Sequence, residues 1–352
     1  MSADSPTQAI LTLDRLTMHF PIVKGGMIRR TVGHVKAVDD VSLTVMEGET
    51  LSVVGESGCG KTTLGRCIMR IYDPTDGAIK YHGRDGETVD ITRLNRKQML
   101  PFRRDIRMVF QDPFSSLNPR MTVEEIIGEP LHRNGMNDRQ ERADRVAELM
   151  RQVGLRPENM GRYPHAFSGG ERQRIGIARA LALNPRLLIA DEAVSALDVS
   201  VQAQTINLLR ALQKQHKLSY VFIAHDLSVV EYISDRVAVM YAGRLVELAK
   251  TDDLFQSPRH PYTEALLSAV PTPDPRLRGK VKRIRLEGEV ADPSKLPTGC
   301  AFHPRCRYSD GKRCAAEVPA LRALDDGRTV ACHFAESLAL RGVKPAAEAV
   351  EA

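Results

Sequence analysis

Residues 55–62 read Gly-Glu-Ser-Gly-Cys-Gly-Lys-Thr, which is the pattern G-x-x-x-x-G-K-T of a phosphate-binding loop. An apolar run that includes Leu51 precedes this phosphate loop, and a segment with helical spacing, from Leu64 to Met69, follows it. The pattern requires a strand before it and a helix after it, and both are predicted here. Glycines let successive backbone N–H groups point at phosphate oxygens, and the helix start adds the positive end of its dipole. The stretch therefore predicts an α/β domain that binds a nucleoside triphosphate.

Two side chains of the phosphate loop carry specific expectations. Lys61 is expected to reach the terminal phosphates, and the hydroxyl of Thr62 is expected to bind Mg²⁺. The alternative is a glycine-rich turn without a ligand, and the flanking strand and helix argue against it. The other loop positions predicted to contact the nucleotide are Gly55, Ser57, Gly58, Cys59, Gly60 and Thr63.

A second buried strand is predicted at residues 187–190, a continuous apolar run that ends in Asp191 and Glu192. Such a run is typical of a strand that is covered on both faces of a parallel sheet. Carboxylates at its C-terminal end would face the nucleotide crevice, so we expect Asp191 to hold Mg²⁺ and Glu192 to polarise the attacking water. The run at residues 220–224 ends in His225, which predicts a contact to the γ-phosphate; an ordinary strand-end histidine is the alternative.

The segment Ser168-Gly169-Gly170-Glu171 precedes a helical pattern, and Ser followed three residues later by Glu is a capping box. A helix N-cap is therefore its simplest interpretation. The order of motifs along the chain indicates more, because the phosphate loop, Gln111, this segment, Asp191-Glu192, residues 195–198 and His225 follow one another. In this order the chain resembles the nucleotide-binding subunits of ABC transporters.

The resemblance implies an α/β fold of the ABC-type P-loop ATPase class, with a mixed sheet core, an antiparallel β subdomain and a helical subdomain. It also implies that the ligands are ATP and Mg²⁺. Gln111 resembles the Q-loop glutamine, which links Mg²⁺ and the attacking water to the membrane subunits, and His225 resembles the switch histidine. The residues that resemble the signature and the D-loop, which act on ATP held between two subunits, are Ser168, Gly169, Gly170 and Asp198.

Two positions test the resemblance. Family signatures usually continue with Gln, whereas this chain has Glu171, and we expect the capping box to keep that carboxylate turned toward its own backbone. Adenine stacking in this family often comes from an aromatic residue near the first strand. Phe20, at the end of the run from residue 11, is the candidate, with a plain core residue as the alternative; the insertion at residues 21–35 blurs the alignment.

The loop at residues 111–119 carries two prolines and predicts an exposed docking surface with Phe114 and Leu117; a loop folded back on its own core is the alternative. This loop closely resembles that of dipeptide and oligopeptide importers, where the region helps to receive the membrane subunit. The resemblance continues through residues 257–263 and 299–306 and weakens only after about residue 335.

The predicted domains are a nucleotide-binding domain at residues 1–256, with its helical subdomain at about 112–182, an importer-type extension at 257–340 and a disordered tail at 341–352. Within the helical subdomain, Thr122 and Asp138 are predicted N-caps. No apolar run approaches the roughly 20 residues of a membrane span, and the polar start predicts no signal peptide. We therefore expect a peripheral protein at the cytoplasmic face of the inner membrane.

Four of the six cysteines cluster near the C-terminus, at Cys300, Cys306, Cys314 and Cys332. A cytosolic chain argues against disulfides, and zinc sites favour closer C-x₂₋₄-C pairs, yet zinc and unliganded core cysteines both remain open. An iron–sulfur cluster needs four thiolates and tolerates wider spacings. Several peptide-importer ATPases carry a four-iron cluster at matching cysteines, so the resemblance favours a [4Fe-4S] cluster.

The function expected from the resemblance is ATP hydrolysis that powers import of dipeptides or oligopeptides. The implied partners are a homologous second ATPase subunit, two membrane permease subunits and an extracytoplasmic substrate-binding protein. An importer of the same family for nickel, glutathione or oligosaccharide is the first alternative. A soluble ABC ATPase that acts on nucleic acid or ribosomes is the second. A net charge of +6, no tryptophan and 5% aromatic residues give no sign of a base-stacking surface.

Overall fold

The structure is a computed structural model, and it describes residues 8–25, 30–112, 114–270 and 284–343. The chain divides into two compact units. The first unit comprises Met1–Ile10, Val45–Thr50 and Arg93–Ile223, and the second unit comprises Leu11–Thr44, Leu51–Thr92 and Ala224–Ala352. Within the described ranges, no helix has the length and apolar character needed to cross a membrane.

The secondary structure elements are named in chain order. The strands of the described residues are β1 (Ala9–Lys24), β2 (Arg30–Met46), β3 (Thr50–Val54), β4 (Asp76–His82), β5 (Thr88–Asp90), β6 (Ile106–Val109), β7 (Leu187–Asp191), β8 (Ser219–Ile223), β9 (Arg236–Tyr241), β10 (Arg244–Lys250), β11 (Arg322–Ala323) and β12 (Thr329–Val330). The helices are α1 (Lys61–Ile68), α2 (Phe102–Asp105), α3 (Val123–Arg133), α4 (Arg139–Gln152), α5 (Gly169–Leu181), α6 (Val199–His216), α7 (Leu227–Ile233), α8 (Thr251–Gln256), α9 (Pro261–Leu267) and α10 (Arg313–Ala316).

The first unit contains the parallel strands β6, β7 and β8 and the helices α2 to α6. β6 pairs in parallel with β7, and β7 pairs in parallel with β8, so that Leu187 is opposite both Ile106 and Ser219. Every residue of β7 and β8 is buried, which confirms the strand predicted at 187–190. The second predicted run is shifted by one residue, because β8 begins at Ser219 and ends at Ile223, so that Ala224 lies outside it.

The helical part of the first unit begins as the sequence predicts. Thr122 caps α3 and forms a complete capping box with Glu125, and Asp138 caps α4 by accepting from the backbone N–H of Glu141. These caps satisfy backbone donors that have no partner inside their helix. One apolar face of α4, with Val146, Leu149 and Met150, is buried, as amphipathic spacing requires.

The second unit contains a sheet in the strand order β2-β1-β4-β5, in which β4 pairs antiparallel with both β1 and β5. β1 and β2 are long, and they account for most of the segment at 21–35 that the sequence treats as an insertion. β1 continues to Lys24, so Phe20 lies inside the strand and does not end it. The prediction of a strand end at Phe20 was wrong because Pro21 is accommodated within β1. Proline has no backbone N–H, so a strand tolerates it only at positions where the ladder needs no donor.

The second unit also contains a group of mixed strands. β3 pairs in parallel with β9, β9 pairs antiparallel with β10, and β10 pairs antiparallel with β12 from the C-terminal part of the chain. Glu247 is opposite Val330, and the backbone N–H of Ala331 donates to the carbonyl of Val246 at 2.9 Å. A small core around Val330, Cys332 and Ala335 supports this end of the chain. The domain boundaries at 256 and 340 stay predictions, and residues 344–352 of the predicted tail lie outside the described residues.

Candidate functional site

The phosphate loop connects β3 to α1 in the second unit, and its glycines adopt conformations that other residues rarely reach. Gly55 has φ 152° and Gly60 has φ 105°. A Cβ atom at Gly55 would lie 2.2 Å from the carbonyl oxygen of Met240, and one at Gly60 would lie 1.9 Å from that of Ala37. The backbone of this loop therefore passes too close to its neighbours for any side chain at these two positions.

Lys61 is almost completely buried within the loop, with 5% of the residue exposed. Its ammonium donates to the carbonyl oxygen of Gly55 at 2.8 Å and to that of Glu56 at 3.0 Å. Carbonyl partners compensate the cost of burying the charge. Lys61, Thr62 and Thr63 form the first turn of α1, and Gly60 at the N-cap contributes no side-chain bond, so backbone N–H groups and the helix dipole face the loop.

The loop residue Glu56 has partners from a distant part of the second unit. Its backbone N–H donates to the hydroxyl of Tyr262 at 2.8 Å. Its carboxylate accepts two bonds from the guanidinium of Arg305, at 2.7 and 3.0 Å. Sequence reasoning missed Glu56 because position 56 is one of the four variable positions of the pattern and carries no signal of its own. It missed Tyr262 and Arg305 because they lie 206 and 249 residues further along the chain.

The acidic strand end lies in the first unit. Asp191 is the last residue of β7 and is 2% exposed. Glu192 follows with φ 46°, a left-handed conformation that is strained for a residue with a side chain. Its backbone N–H donates to the carbonyl of Ile223 at 2.9 Å, and its carboxylate accepts from the amide N–H of Gln111 at 2.8 Å. The structure thus brings together Gln111 and Glu192, two residues that the sequence predicts for one site.

The signature segment, residues 168–171, forms the start of α5. Ser168 is the N-cap and accepts from the backbone N–H of Glu171, while the Glu171 carboxylate accepts from the backbone N–H and the hydroxyl of Ser168 at 2.9 and 2.8 Å. These two bonds lower the pKa of Glu171, and the bond from the backbone N–H of Ser168 has the larger effect. The expectation that the carboxylate turns toward its own backbone is confirmed.

The two signature glycines have different surroundings. A Cβ atom at Gly170 would lie 2.4 Å from Cγ1 of Val201 on α6, whereas one at Gly169 would meet no atom within 4 Å. Close packing of α5 on α6 therefore explains Gly170. Packing within the described chain does not explain Gly169.

Asp198 and His225 both adjoin the starts of helices. Asp198 caps α6 by accepting from the backbone N–H of Val201 at 3.0 Å. Ser195, three residues earlier, donates its hydroxyl to the carbonyl of Glu192 at 2.9 Å, which connects this segment to the acidic strand end. His225 is exposed and precedes Asp226, the N-cap of α7.

Phe20 packs against another aromatic ring of the second unit. Its ring centroid lies 5.3 Å from that of Tyr72, at an interplanar angle of 85°. The guanidinium of Arg66 lies 5.8 Å from the Tyr72 ring. The structure therefore gives Phe20 an edge-to-face partner, and its stacking on adenine stays a prediction.

The loop after Gln111 only partly matches its prediction. Phe114 is 61% exposed, and its ring lies 4.2 Å from the guanidinium carbon of Arg172. Leu117 is 2% exposed, so the prediction of an exposed Leu117 was wrong. A turn between the two residues directs Leu117 into the core, which is the more favourable position for an apolar side chain.

The four C-terminal cysteines line one cavity of about 20 Å³ in the second unit. All are free thiols, and burial raises the pKa of Cys306 to about 12 and that of Cys332 to about 11. The histidines beside them bond to backbone carbonyls: His303 to Cys300 and His333 to Glu317, each at 2.9 Å.

The number and type of these side chains suit a cluster, but their spacing does not. Among the described residues, no group of three or more His, Cys, Asp or Glu side chains is arranged to hold a metal ion. A cavity of about 20 Å³ has room for roughly one water molecule. The thiols would have to move apart to accept any larger group.

Comparisons with known proteins agree with the motifs. A family model described as "ABC transporter" matches residues 38–195, and one described as "Oligopeptide/dipeptide transporter, C-terminal region" matches residues 246–314. The chain is 52% identical over 341 residues to a probable peptide ABC transporter ATP-binding protein of Sinorhizobium fredii, covering 97% of this chain and 94% of that protein. It is 50% identical over 316 residues to an oligopeptide transport ATP-binding protein of Salmonella typhimurium, covering 89% and 93%.

A solved structure supports the fold class. The dimeric, post-hydrolysis state of an ATP-binding cassette bound to ADP and Pi aligns with a TM-score of 0.59 and 29% identity. The alignment covers 68% of this chain and 98% of the cassette. The predicted fold, a mixed sheet core with an antiparallel β subdomain and a helical subdomain, is confirmed by this similarity and by the strand pairings described above.

Proposed function

The chain belongs to the ATP-binding proteins of oligopeptide- and dipeptide-type ABC transporters, and we propose that it hydrolyses ATP to power import of peptides across the cytoplasmic membrane. The observation that carries this proposal is similarity to peptide transport ATPases at about 50% identity through both the ATP motifs and the cysteine-containing extension. ATPase activity follows from the family itself, whereas the peptide cargo rests on the names of the relatives.

The phosphate loop is proposed to bind the triphosphate. The ammonium of Lys61 donates hydrogen bonds to the carbonyl oxygens of Gly55 and Glu56 at 2.8 and 3.0 Å. We propose that it exchanges these partners for the terminal phosphate oxygens when ATP binds. The loop residues Gly55, Ser57, Gly58, Cys59, Gly60 and Thr63 surround the phosphates, and Phe20 stacks on adenine. Bound Mg²⁺ would neutralise phosphate charge, and its proposed ligands are Thr62, Gln111 and Asp191.

Glu192 is proposed to orient and polarise the attacking water. The strained backbone and the bond from Gln111 fix the direction of its carboxylate, which is what a general base needs. Gln111 would help to position the same water. His225 is proposed to contact the γ-phosphate, where an imidazole can donate a hydrogen bond to charge that develops in the transition state.

Two ATPase subunits are proposed to share their ATP sites. Ser168, Gly169, Gly170 and Asp198 of one subunit would face the nucleotide of a homologous second subunit. The open surroundings of Gly169 and the inward turn of Glu171 both suit an approaching phosphate. The dimeric, ADP-bound cassette that this chain resembles supports the arrangement.

The remaining partners would complete an importer. We place the subunit peripherally on the cytoplasmic face of the inner membrane, against two membrane permease subunits, with an extracytoplasmic substrate-binding protein acting through them. The exposed ring of Phe114 supports docking of a permease segment, because it presents apolar surface on a loop that begins at Gln111.

Stimulation of ATP hydrolysis in proteoliposomes tests which cargo the transporter carries. The chain, its partner ATPase and the permease subunits are reconstituted, and ATP hydrolysis is measured with binding protein loaded with dipeptide, oligopeptide, nickel, glutathione or oligosaccharide. We expect stimulation by peptides. Stimulation by another cargo alone would replace the peptide assignment, and purification with ribosomes or nucleic acid without permeases would overturn the transport assignment.

A [4Fe-4S] cluster is proposed at Cys300, Cys306, Cys314 and Cys332. Its support is that all four thiols line one cavity, which would have to widen to hold the cluster. The cluster would supply a covalent crosslink to a segment too small to bury a core of its own.

Anaerobic purification tests the cluster. We expect brown protein with equal amounts of iron and acid-labile sulfide, and loss of both when any one of the four cysteines is replaced by Ser. Cys67→Ser is the control, because that buried thiol lies on α1 and outside the cavity. Stoichiometric zinc, or colourless protein prepared with iron, would refute the cluster.

A further inference from the structure

Glu56 is held through its backbone N–H, its backbone carbonyl and its carboxylate. Its backbone N–H bonds to Tyr262, its carbonyl accepts from Lys61 at 3.0 Å, and its carboxylate bonds to Arg305. Lys61 uses the carbonyl oxygens of Gly55 and Glu56 as its partners, so the position of its ammonium depends on that of Glu56. A displacement of Glu56 would therefore displace the ammonium as well.

Arg305 approaches the phosphate loop from the cysteine segment, which comprises residues 300–332, and it immediately precedes Cys306. Its side chain is only 7% exposed, and it makes a two-pronged bond to Glu56 at 2.7 and 3.0 Å. The hydroxyl of Tyr241 lies 3.5 Å from the same guanidinium, and Nε has no hydrogen-bond partner among the described residues. A planar guanidinium that donates two parallel hydrogen bonds, like a fork, fixes the orientation of the carboxylate as well as its distance.

We propose that Arg305 is a positioning residue of the ATP site, which sets the phosphate loop through Glu56. The cysteine segment then forms part of the nucleotide-binding apparatus. This inference rests on ATP binding by the chain, and it is independent of the cargo and of any cluster.

Two physical effects of the pair can be separated. The carboxylate of Glu56 lies on a loop that binds polyphosphate, so an unpaired Glu56 would repel the ligand. A lysine at position 305 would cancel this charge but would not reproduce the fork. If Arg305 acts by positioning, Arg305→Lys restores little of the lost affinity; if it acts by charge alone, Arg305→Lys restores nearly all of it.

The test measures the Kd of MgATP for the full chain by calorimetry. We expect about tenfold weaker binding for Arg305→Ala and for Glu56→Gln, and no further loss in the double variant, because both changes break one pair. In the assembled transporter KM for ATP should rise in proportion, while kcat at saturating ATP stays within about threefold.

Arg307→Ala is the matched control. Arg307 lies on the other side of Cys306 and bonds to the buried carboxylate of Glu264 at 2.9 Å, without contact to the phosphate loop. Its loss should lower Tm at least as much as Arg305→Ala but leave the Kd of MgATP unchanged. This comparison separates a general loss of stability from a loss of loop position.

Three outcomes would overturn the inference: wild-type Kd in Arg305→Ala, wild-type Kd in Glu56→Gln, or full rescue by Arg305→Lys. If Arg305→Ala fails to fold, Glu56→Gln tests the pair from the loop side. Failure of the wild-type chain to bind MgATP would instead refute the proposed function, so the two failures are distinguishable.

Discussion

The side-chain amide of Gln111 donates to the carboxylate of Glu192 across 2.8 Å, although 81 residues separate the two positions. Gln111 also begins the loop that carries the exposed ring of Phe114. A partner that moves this loop would therefore act directly on the orientation of the Glu192 carboxylate. The bond provides a physical route by which movement of this loop would reach Glu192, the residue proposed to polarise the attacking water.

Glu192→Gln should leave ATP binding intact and slow hydrolysis by about 10²- to 10⁴-fold, the range for loss of a general base. The substitution keeps the shape of the side chain, and the amide oxygen can still accept from Gln111. Single-turnover hydrolysis and ATP affinity of the assembled complex measure the two effects. Unchanged hydrolysis would count against Glu192 as the catalytic carboxylate.

Lys61→Ala should weaken ATP binding and reduce hydrolysis at this chain's own site by about 10²- to 10³-fold, because the donor to the terminal phosphates is lost. The measurement needs a complex in which the partner's site is separately inactivated. Near-normal turnover in that complex would refute the assignment of the phosphate loop.

Gly169→Ala should cost little stability, within about 0.5 kcal/mol, because a Cβ atom there meets nothing within 4 Å. It should nevertheless suppress hydrolysis in the complex, since the added methyl group would face the partner's nucleotide. Thermal unfolding of the chain and ATPase assays of the complex provide the comparison.

Gly170→Ala serves as the contrasting variant. Its Cβ atom would lie 2.4 Å from Val201, so overpacking should cost about 1–3 kcal/mol. If Gly169→Ala is fully active in the complex, the proposed shared ATP site is wrong.

Phe114 and Leu117 should respond in opposite ways to replacement by Ala. Leu117→Ala removes a side chain that is 2% exposed and should cost about 2–5 kcal/mol of stability. Phe114→Ala removes an exposed ring and its contact with Arg172, which should cost about 0.5–1 kcal/mol.

The expected functional effect is confined to Phe114→Ala, which should weaken association with the permease subunits in a pull-down from membranes. Chemical denaturation gives the stability of each variant. Undiminished association of Phe114→Ala would remove this ring from the proposed docking surface.

Local patterns predicted much of the fold. The phosphate loop with its flanking strand and helix, the buried strand before Asp191 and the capping box at Ser168 each follow from spacing within about ten residues. The hydrogen bonds of these elements join backbone groups or side chains to backbone groups only a few residues away, so residue type and period suffice to place them.

Other features could not be predicted because they depend on long-range contacts. The direction of Leu117 is set by the core that it enters, and a proline-containing loop gave no periodicity from which to infer it. The bond between Glu56 and Arg305 joins positions 249 residues apart, and Glu56 occupies a variable position of the phosphate-loop pattern, so residue type gave no signal for the pair. Such contacts appear only when the chain is folded.

The pairing of β12 with β10 has a practical consequence for shortened forms of this protein. β10 is an almost entirely buried strand, and β12 occupies the hydrogen-bonding side that β9 leaves open. A chain cut after residue 256 would expose this apolar strand edge to solvent, and exposed edges of this kind recruit strands from other molecules. We therefore expect a truncated ATPase to aggregate, and its loss of activity would then report self-association rather than a missing catalytic group.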